Sequence, residues 1–481
     1  MSFYAVVPIP QNSDLYPALP IARESASPGL YSTQDLTVMS GLRGPFHVYR
    51  IIGGALYARG ANVDLVWHGL FLAFLLLTFV TLWLLAWEVG RNAMAASIVT
   101  ALIAAMHPFR GSLNWSWVPL SGFVSAMAAM PFALLAFVLL LRRRHNWALW
   151  LASATFIIHP YIGLIAVFAC SGVPLFDARG VPGRVRAAWF AVAALIALPN
   201  AVTILVNLPQ NFAGNIGGEL YGQFRVHMYH AFVEDHWREG YGWFFLALAA
   251  TTFFAPQLRR AVRRPVTIII IALLTLAALY LFNLYVVRYY ALMLTLLFRV
   301  TYFLKPLMAA VIVVGAWRWL PALRAQAAVD LPLTALLQRV AARRSGRIRF
   351  APVEGYLALA LLSLSAVIPP VPVAEALALL ACALLLLTTG RARGLAAGLV
   401  GVGAVELLFA VAPRSAPALT PPDAWWDIAV GINVMAGLAL AVVFWRMPPP
   451  IQVERAGAHT LPGIWRNLAT AGAVCMASVM V

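Results

Sequence analysis

"RRRHNWALWLASATFIIHPYIGLIAVFACSGVPLFDARGVPGRVR", residues 142–186, decides how the chain is threaded. Arginine-bearing stretches at 142–144 and 179–186 flank an apolar run from 147 to 175. The run suffices for one membrane-crossing helix, which needs about 20 residues. A single helix, however, puts the two basic stretches on opposite faces, against the tendency of Lys and Arg to collect on the cytoplasmic side. His159-Pro160 stands at its middle, where proline removes a backbone donor and kinks or stops a helix. Two short helices, 147–158 and 161–175, meeting at that dipeptide return both basic stretches to one face. Neither spans upright unless the bilayer thins or protein shields it.

The rest of the chain fits that choice. Of 481 residues, 62% are hydrophobic and 11% charged, and the mean hydropathy is +0.84. So few charges do not cover a soluble surface of this size, and near-span-length apolar runs recur. The expected fold class is all-α: a polytopic helical membrane protein of about 12–15 transmembrane helices with a long external first loop, because lipid forces backbone groups to bond within their own segment. Candidate spans fall near 65–88, 93–106, 120–141, 187–206, 241–256, 266–287, 303–320, 353–369, 373–389, 394–412, 426–445 and 467–481. The net charge of +17 reads as basic cytoplasmic loops rather than a nucleic-acid surface, and no nucleic-acid partner is expected. Cys170, Cys382 and Cys475 lie in apolar segments without paired spacing and read as small core residues. "MSFYAVVPIP" is too short for a signal peptide.

Four regions follow: an external loop with interfacial helices (1–64), a transmembrane module (65–320) with an external polar loop at 207–240, a basic cytoplasmic loop (321–352), and C-terminal transmembrane helices (353–481). In the last, Gly394 and Gly398 are spaced for close helix contact. Glu406 reads as the lone acid deep in a late span, with a structural role.

The polar clusters gather on the external side. Asp14 and Asp35 stand in the first loop, each either a helix N-cap or a carboxylate able to act as general base. His47 and Arg50 share one face of a surface-lying helix that begins near Pro45. "RVHMYHAFVEDHW" (225–237), if helical, sets His227, His230 and Glu234 on one face, and Arg225 adds a bidentate donor, a set suited to a phosphate. A divalent metal on His227, His230 and Glu234 is the competing use. His159 reads either as a satisfied histidine at a kink or as an intramembrane functional group. Arg288, Arg299 and Lys305 either snorkel to the surface or meet a lipid phosphate.

The long external loop with an early acid, the surface helix, the short early spans and the polar turns on one face together resemble the C-type (GT-C) multispan glycosyltransferases. "SDLYPALPIARESASPGLYSTQD", the His-Pro at 159 and "RVHMYHAF" look similar to bacterial multispan families related to that class. The resemblance covers about residues 1–320. It implies a polyprenyl-phosphate-linked sugar as donor and a first-loop acid as base or metal ligand, falling on Asp14 and secondly on Asp35. No Asp-x-Asp or Asp-Glu pair accompanies them. Chemically, cations at Arg225, Arg299 or Lys305 would stabilise the prenyl phosphate leaving group. Such an enzyme would sit in the bacterial inner membrane with membrane lipid around it and its site on the periplasmic face. The alternatives are a transporter or lipid flippase, against which sparse mid-span charge and the lack of a visible repeat count, and a non-catalytic membrane protein.

Overall fold

A computed structural model describes residues 53–60, 63–105, 125–178, 180–207, 214–227 except 216, 240–293, 295, 297–328, 352–368, 371–388, 393–411 and 423–446, with isolated positions 24, 27 and 29. Among the described residues every regular element is helical, with one isolated bridge between Asn215 and Tyr289. The chain is an all-α, polytopic helical membrane protein. Six described helices are long and apolar enough to cross a membrane, and five shorter apolar ones accompany them.

After a one-turn helix α1 (Gly54–Tyr57), α2 (Val63–Gly90) and α3 (Ala93–Ala105) form the first long pair. Their turn is tight: Arg91 takes a left-handed conformation (φ 53°), and the Asn92 side chain accepts from the Ala95 amide at 2.9 Å. That contact caps α3. Next come α4 (Ser125–Leu141), α5 (His145–Ile158) and α6 (Pro160–Phe176). The chain breaks at His159-Pro160, as the sequence predicts. His159 is extended (φ −147°, ψ 111°) and ends α5, while its Nδ1 accepts from the Ile162 amide at 3.3 Å to cap α6. Pro160 occupies the first turn, where its missing donor costs nothing. The turn closes tightly because residue 163 is glycine; a Cβ there would fall on the Phe156 backbone.

The two short helices form a hairpin whose open ends meet. His145 lies against Trp189 of α7 (Gly183–Asn207), ring centroids 6.2 Å apart, and Asp177 beyond α6 acts on the same histidine. Arg264 pairs with Asp177 at 2.9 Å and donates to the Phe176 carbonyl at 2.7 Å, bringing in the start of α10 (Arg260–Phe282). Between α7 and α10 lie α8 (Gly218–His227) and α9 (Tyr241–Phe254), and after α10 comes the one-turn α11 (Tyr290–Met293).

Glu88 organises the same basic end. It is 1% exposed, and its carboxylate pairs with Arg91 at 2.5 Å and Arg142 at 2.6 Å. Arg259 donates to the Glu88 carbonyl at 2.7 Å. Burial pulls the Arg259 guanidinium below its ordinary range; Arg91 and Arg318 add to the shift, and Glu88 opposes it. The ends of α2, α4 and α10 and the middle of α12 (Thr301–Ala328) therefore share one arginine-rich end.

The C-terminal helices are α13 (Pro352–Val367), α14 (Val371–Thr388), α15 (Arg393–Val411) and α16 (Asp423–Arg446); α14 and α16 pack on α9, while α13 and α15 pack on α14. Phe253 near the end of α9 meets Phe444 near the end of α16 at 5.1 Å, so these two helices run parallel and Arg446 joins the basic end. Gly437 permits the approach, since a Cβ there would lie 2.5 Å from the Phe245 backbone. Among the described residues, Gly394 and Gly398 do not have the expected role: nothing lies within 4 Å of a Cβ at either. They face open space, and a neighbouring glycine, Gly403, meets Leu380 instead. Cys170 and Cys382 are buried as expected, and Cys475 falls outside the described residues. Helix α12 continues to Ala328, so the basic segment placed at 321–352 begins as helix.

Candidate functional site

At the end opposite the arginines, α10 runs on as a π-turn, Asn283–Val287, and stops at Arg288 in a left-handed conformation (φ 58°). The Asn283 side chain grips Tyr289 from both sides, donating to its carbonyl and accepting from its amide, each at 3.2 Å. The Tyr290 amide donates to the Gly214 carbonyl at 3.0 Å, and the Arg288 guanidinium lies 4.2 Å from the centroid of the Tyr221 ring. The segment holding α8 is thereby docked on 283–290, with Phe224 against Tyr290 at 5.9 Å. Arg225 follows on that helix and is half-buried; His227 is its last residue. His230 and Glu234 lie outside the described residues, as do Asp14, Asp35, His47 and Arg50.

Two predicted residues do meet. Arg299, in a short 3-10 turn (Leu297–Val300), lies within electrostatic reach of His159, Tyr161 and Tyr280. His159 is 3% exposed and packs edge-on against Tyr161 at 5.5 Å. The Tyr280 hydroxyl donates to the Met293 carbonyl at 3.1 Å. The hairpin turn and the entry to α12 thus form one polar cluster. Among the described residues, two of its buried donors, Arg299 Nε and Thr301 Oγ1, have no hydrogen-bond partner, nor does Arg288 Nε.

Lys305 is placed differently from expectation. It does not snorkel; it lies one turn inside α12 and is 3% exposed. It lines an apolar cavity of about 210 Å³ between α3, α9, α12 and α13. Trp243 and Ala366 stand near its lysine end, Ile312 midway, and Trp317, Leu320 and Leu359 toward the basic end. From Lys305 to Leu320 the helix rises about 22 Å, most of the apolar thickness of a bilayer.

A second site was not visible in the sequence. Glu375 on α14, Glu406 on α15 and Asn433 on α16 are all buried at 2% exposure or less. Asn433 Nδ2 donates to Glu375 Oε2 at 3.2 Å and to Glu406 Oε2 at 3.1 Å, while the Trp243 amide donates to Glu375 Oε1 at 3.4 Å. Gly242 makes the approach possible, since a Cβ there would lie 2.6 Å from Asn433 and 2.7 Å from Glu375. Glu406 is therefore not a lone acid. The signal was present, because Glu375, Glu406 and Asn433 are polar residues within apolar spans; their convergence from three helices was not.

Among the described residues no three His, Cys, Asp or Glu side chains converge as a metal site. No family model, no curated protein and no solved structure matches the chain.

Proposed function

We propose that the chain binds a polyprenyl-phosphate-linked sugar at the end opposite its arginine-rich face and transfers the sugar to an acceptor hydroxyl. One observation carries this reading: an apolar cavity follows a membrane helix and ends at a buried lysine. A long prenyl chain matches the apolar walls, and a phosphate matches the ammonium. Anions also suit the first turn of α12, where amide donors point outward and the helix dipole is positive. The partnerless donors of Arg299 and Thr301 stand in that neighbourhood. They are what a leaving phosphate needs, fixed donors aimed at developing negative charge.

With arginines on the cytoplasmic side, this end faces the periplasm of a bacterial inner membrane. The donor then arrives on a lipid rather than as a nucleotide sugar. Asp14 is the first choice of general base and Asp35 the second; His227, His230 and Glu234 are the residues that would hold a divalent metal.

A photoreactive polyprenyl phosphate, irradiated with the full chain in nanodiscs, tests the binding step. Crosslinks are expected on peptides bearing Trp243, 305–320 and 359–366. Labelling confined to the outward faces of α7 or α15 would rule the cavity out. Asp14→Asn should then abolish transfer while leaving expression and melting unchanged; loss of folding instead makes Asp14 a helix cap.

A further inference from the structure

The carboxylates buried among the C-terminal helices play no part in that reaction. Glu375, Glu406 and Asn433 line a cavity of about 230 Å³ together with Val371, Pro372 and Trp426, and among the described residues no Lys, Arg or His lines it. An uncompensated carboxylate in such surroundings is strongly disfavoured, so charge here needs a partner. The Asn433 amide serves both acids, which holds them apart without neutralising either.

The leftover atoms identify the missing partner. Glu406 Oε1 and Asn433 Oδ1 are buried and, among the described residues, without a hydrogen-bond partner. Both are acceptors, so only a donor or a cation satisfies them. Every available protein ligand is oxygen, which selects hard cations over transition metals. Both Glu375 oxygens already accept from N–H groups, leaving Glu406 as the carboxylate with a free oxygen. With Glu375 holding a proton, the one ionised carboxylate, Glu406, matches a single positive charge. The cavity exceeds the roughly 30 Å³ that one water occupies, so the ion keeps part of its hydration shell.

We propose that Glu406, Asn433 and Glu375 form a binding site for Na⁺, reached from the non-basic end between the starts of α14 and α16. The ion bridges Glu406 Oε1 and Asn433 Oδ1, and waters complete its shell. Because it binds only the folded arrangement of three helices, it ties α14, α15 and α16 together.

The purified full chain in detergent tests this directly. Its melting midpoint should rise with NaCl and stay flat in choline chloride at equal ionic strength. Glu406→Gln, which keeps the shape and removes the charge, should abolish the Na⁺ dependence, and Gly242→Ala should weaken it by pushing on Glu375 and Asn433. Equal midpoints for the wild-type protein in the two salts would overturn the proposal, leaving a proton or water as the occupant. If Glu406→Gln fails to fold, saturable binding of radioactive Na⁺ to the wild-type chain decides, and its absence refutes the site.

Discussion

Glu88 and Glu406 are equally buried acids with opposite surroundings. At the arginine-rich end, both Glu88 oxygens meet guanidinium groups from two segments, and a third arginine takes its carbonyl. At the other end, Glu406 shares an amide with a second acid and keeps one oxygen without a partner. The first arrangement closes on itself and fastens helix ends together. The second is left open toward a cavity. Burial of charge alone therefore says little about role; whether the charge is answered within the chain distinguishes a fastening from a binding site.

Substitution should separate the two. Glu88→Ala leaves two arginines without their acid and unties α2 from α4. The expected loss is about 3 kcal/mol, toward the low end for broken buried pairs, because both guanidinium groups retain 46% exposure. Chemical denaturation in mild detergent measures it, and an unchanged midpoint would make Glu88 dispensable to the fold. Gly163→Ala comes next, at about 1–3 kcal/mol for overpacking, since the added methyl meets the Phe156 backbone at the hairpin turn. In choline chloride, Glu406→Gln should not lower stability, because the amide still accepts from Asn433 and a buried charge without a counter-ion is removed. A loss as large as that for Glu88→Ala would erase the contrast. Gly394→Ala comes last, a gain smaller than the roughly 1 kcal/mol of a helix interior, because it stands in the first turn of α15 and no described atom meets the new methyl.

The hairpin was legible because two local signals agreed: His-Pro at the centre of an apolar run, and arginines at both its ends. Helix positions were legible for the same reason, since apolar runs in a membrane protein leave few alternatives. Helix contacts were not legible from glycine spacing. Gly394 and Gly398 have the spacing without the contact, while Gly242 and Gly437 have the contact because of what stands opposite. The Glu375–Asn433–Glu406 cluster escaped for that reason too, each member coming from a different helix. Of the first site, the sequence pointed to His159, Arg299 and Lys305. It did not show that Lys305 turns inward to an apolar cavity, which depends on α3, α9 and α13 packing around α12.

Lys305 is the point on which the functional reading turns, and its affinity for two matched lipids tests it most directly. Trp243 and Trp317 line the cavity, so their fluorescence reports an occupant. A long-chain polyprenyl phosphate and the polyprenol of the same length differ only in the headgroup. The wild-type chain should bind the phosphate about 10- to 100-fold more tightly, the range for a charge-assisted contact of roughly 1.5–3 kcal/mol. Lys305→Met should bring the phosphate down to the level of the alcohol while the alcohol binds as before. Equal affinity of the wild-type chain for both lipids, or full discrimination retained by Lys305→Met, would contradict a phosphate site at that lysine.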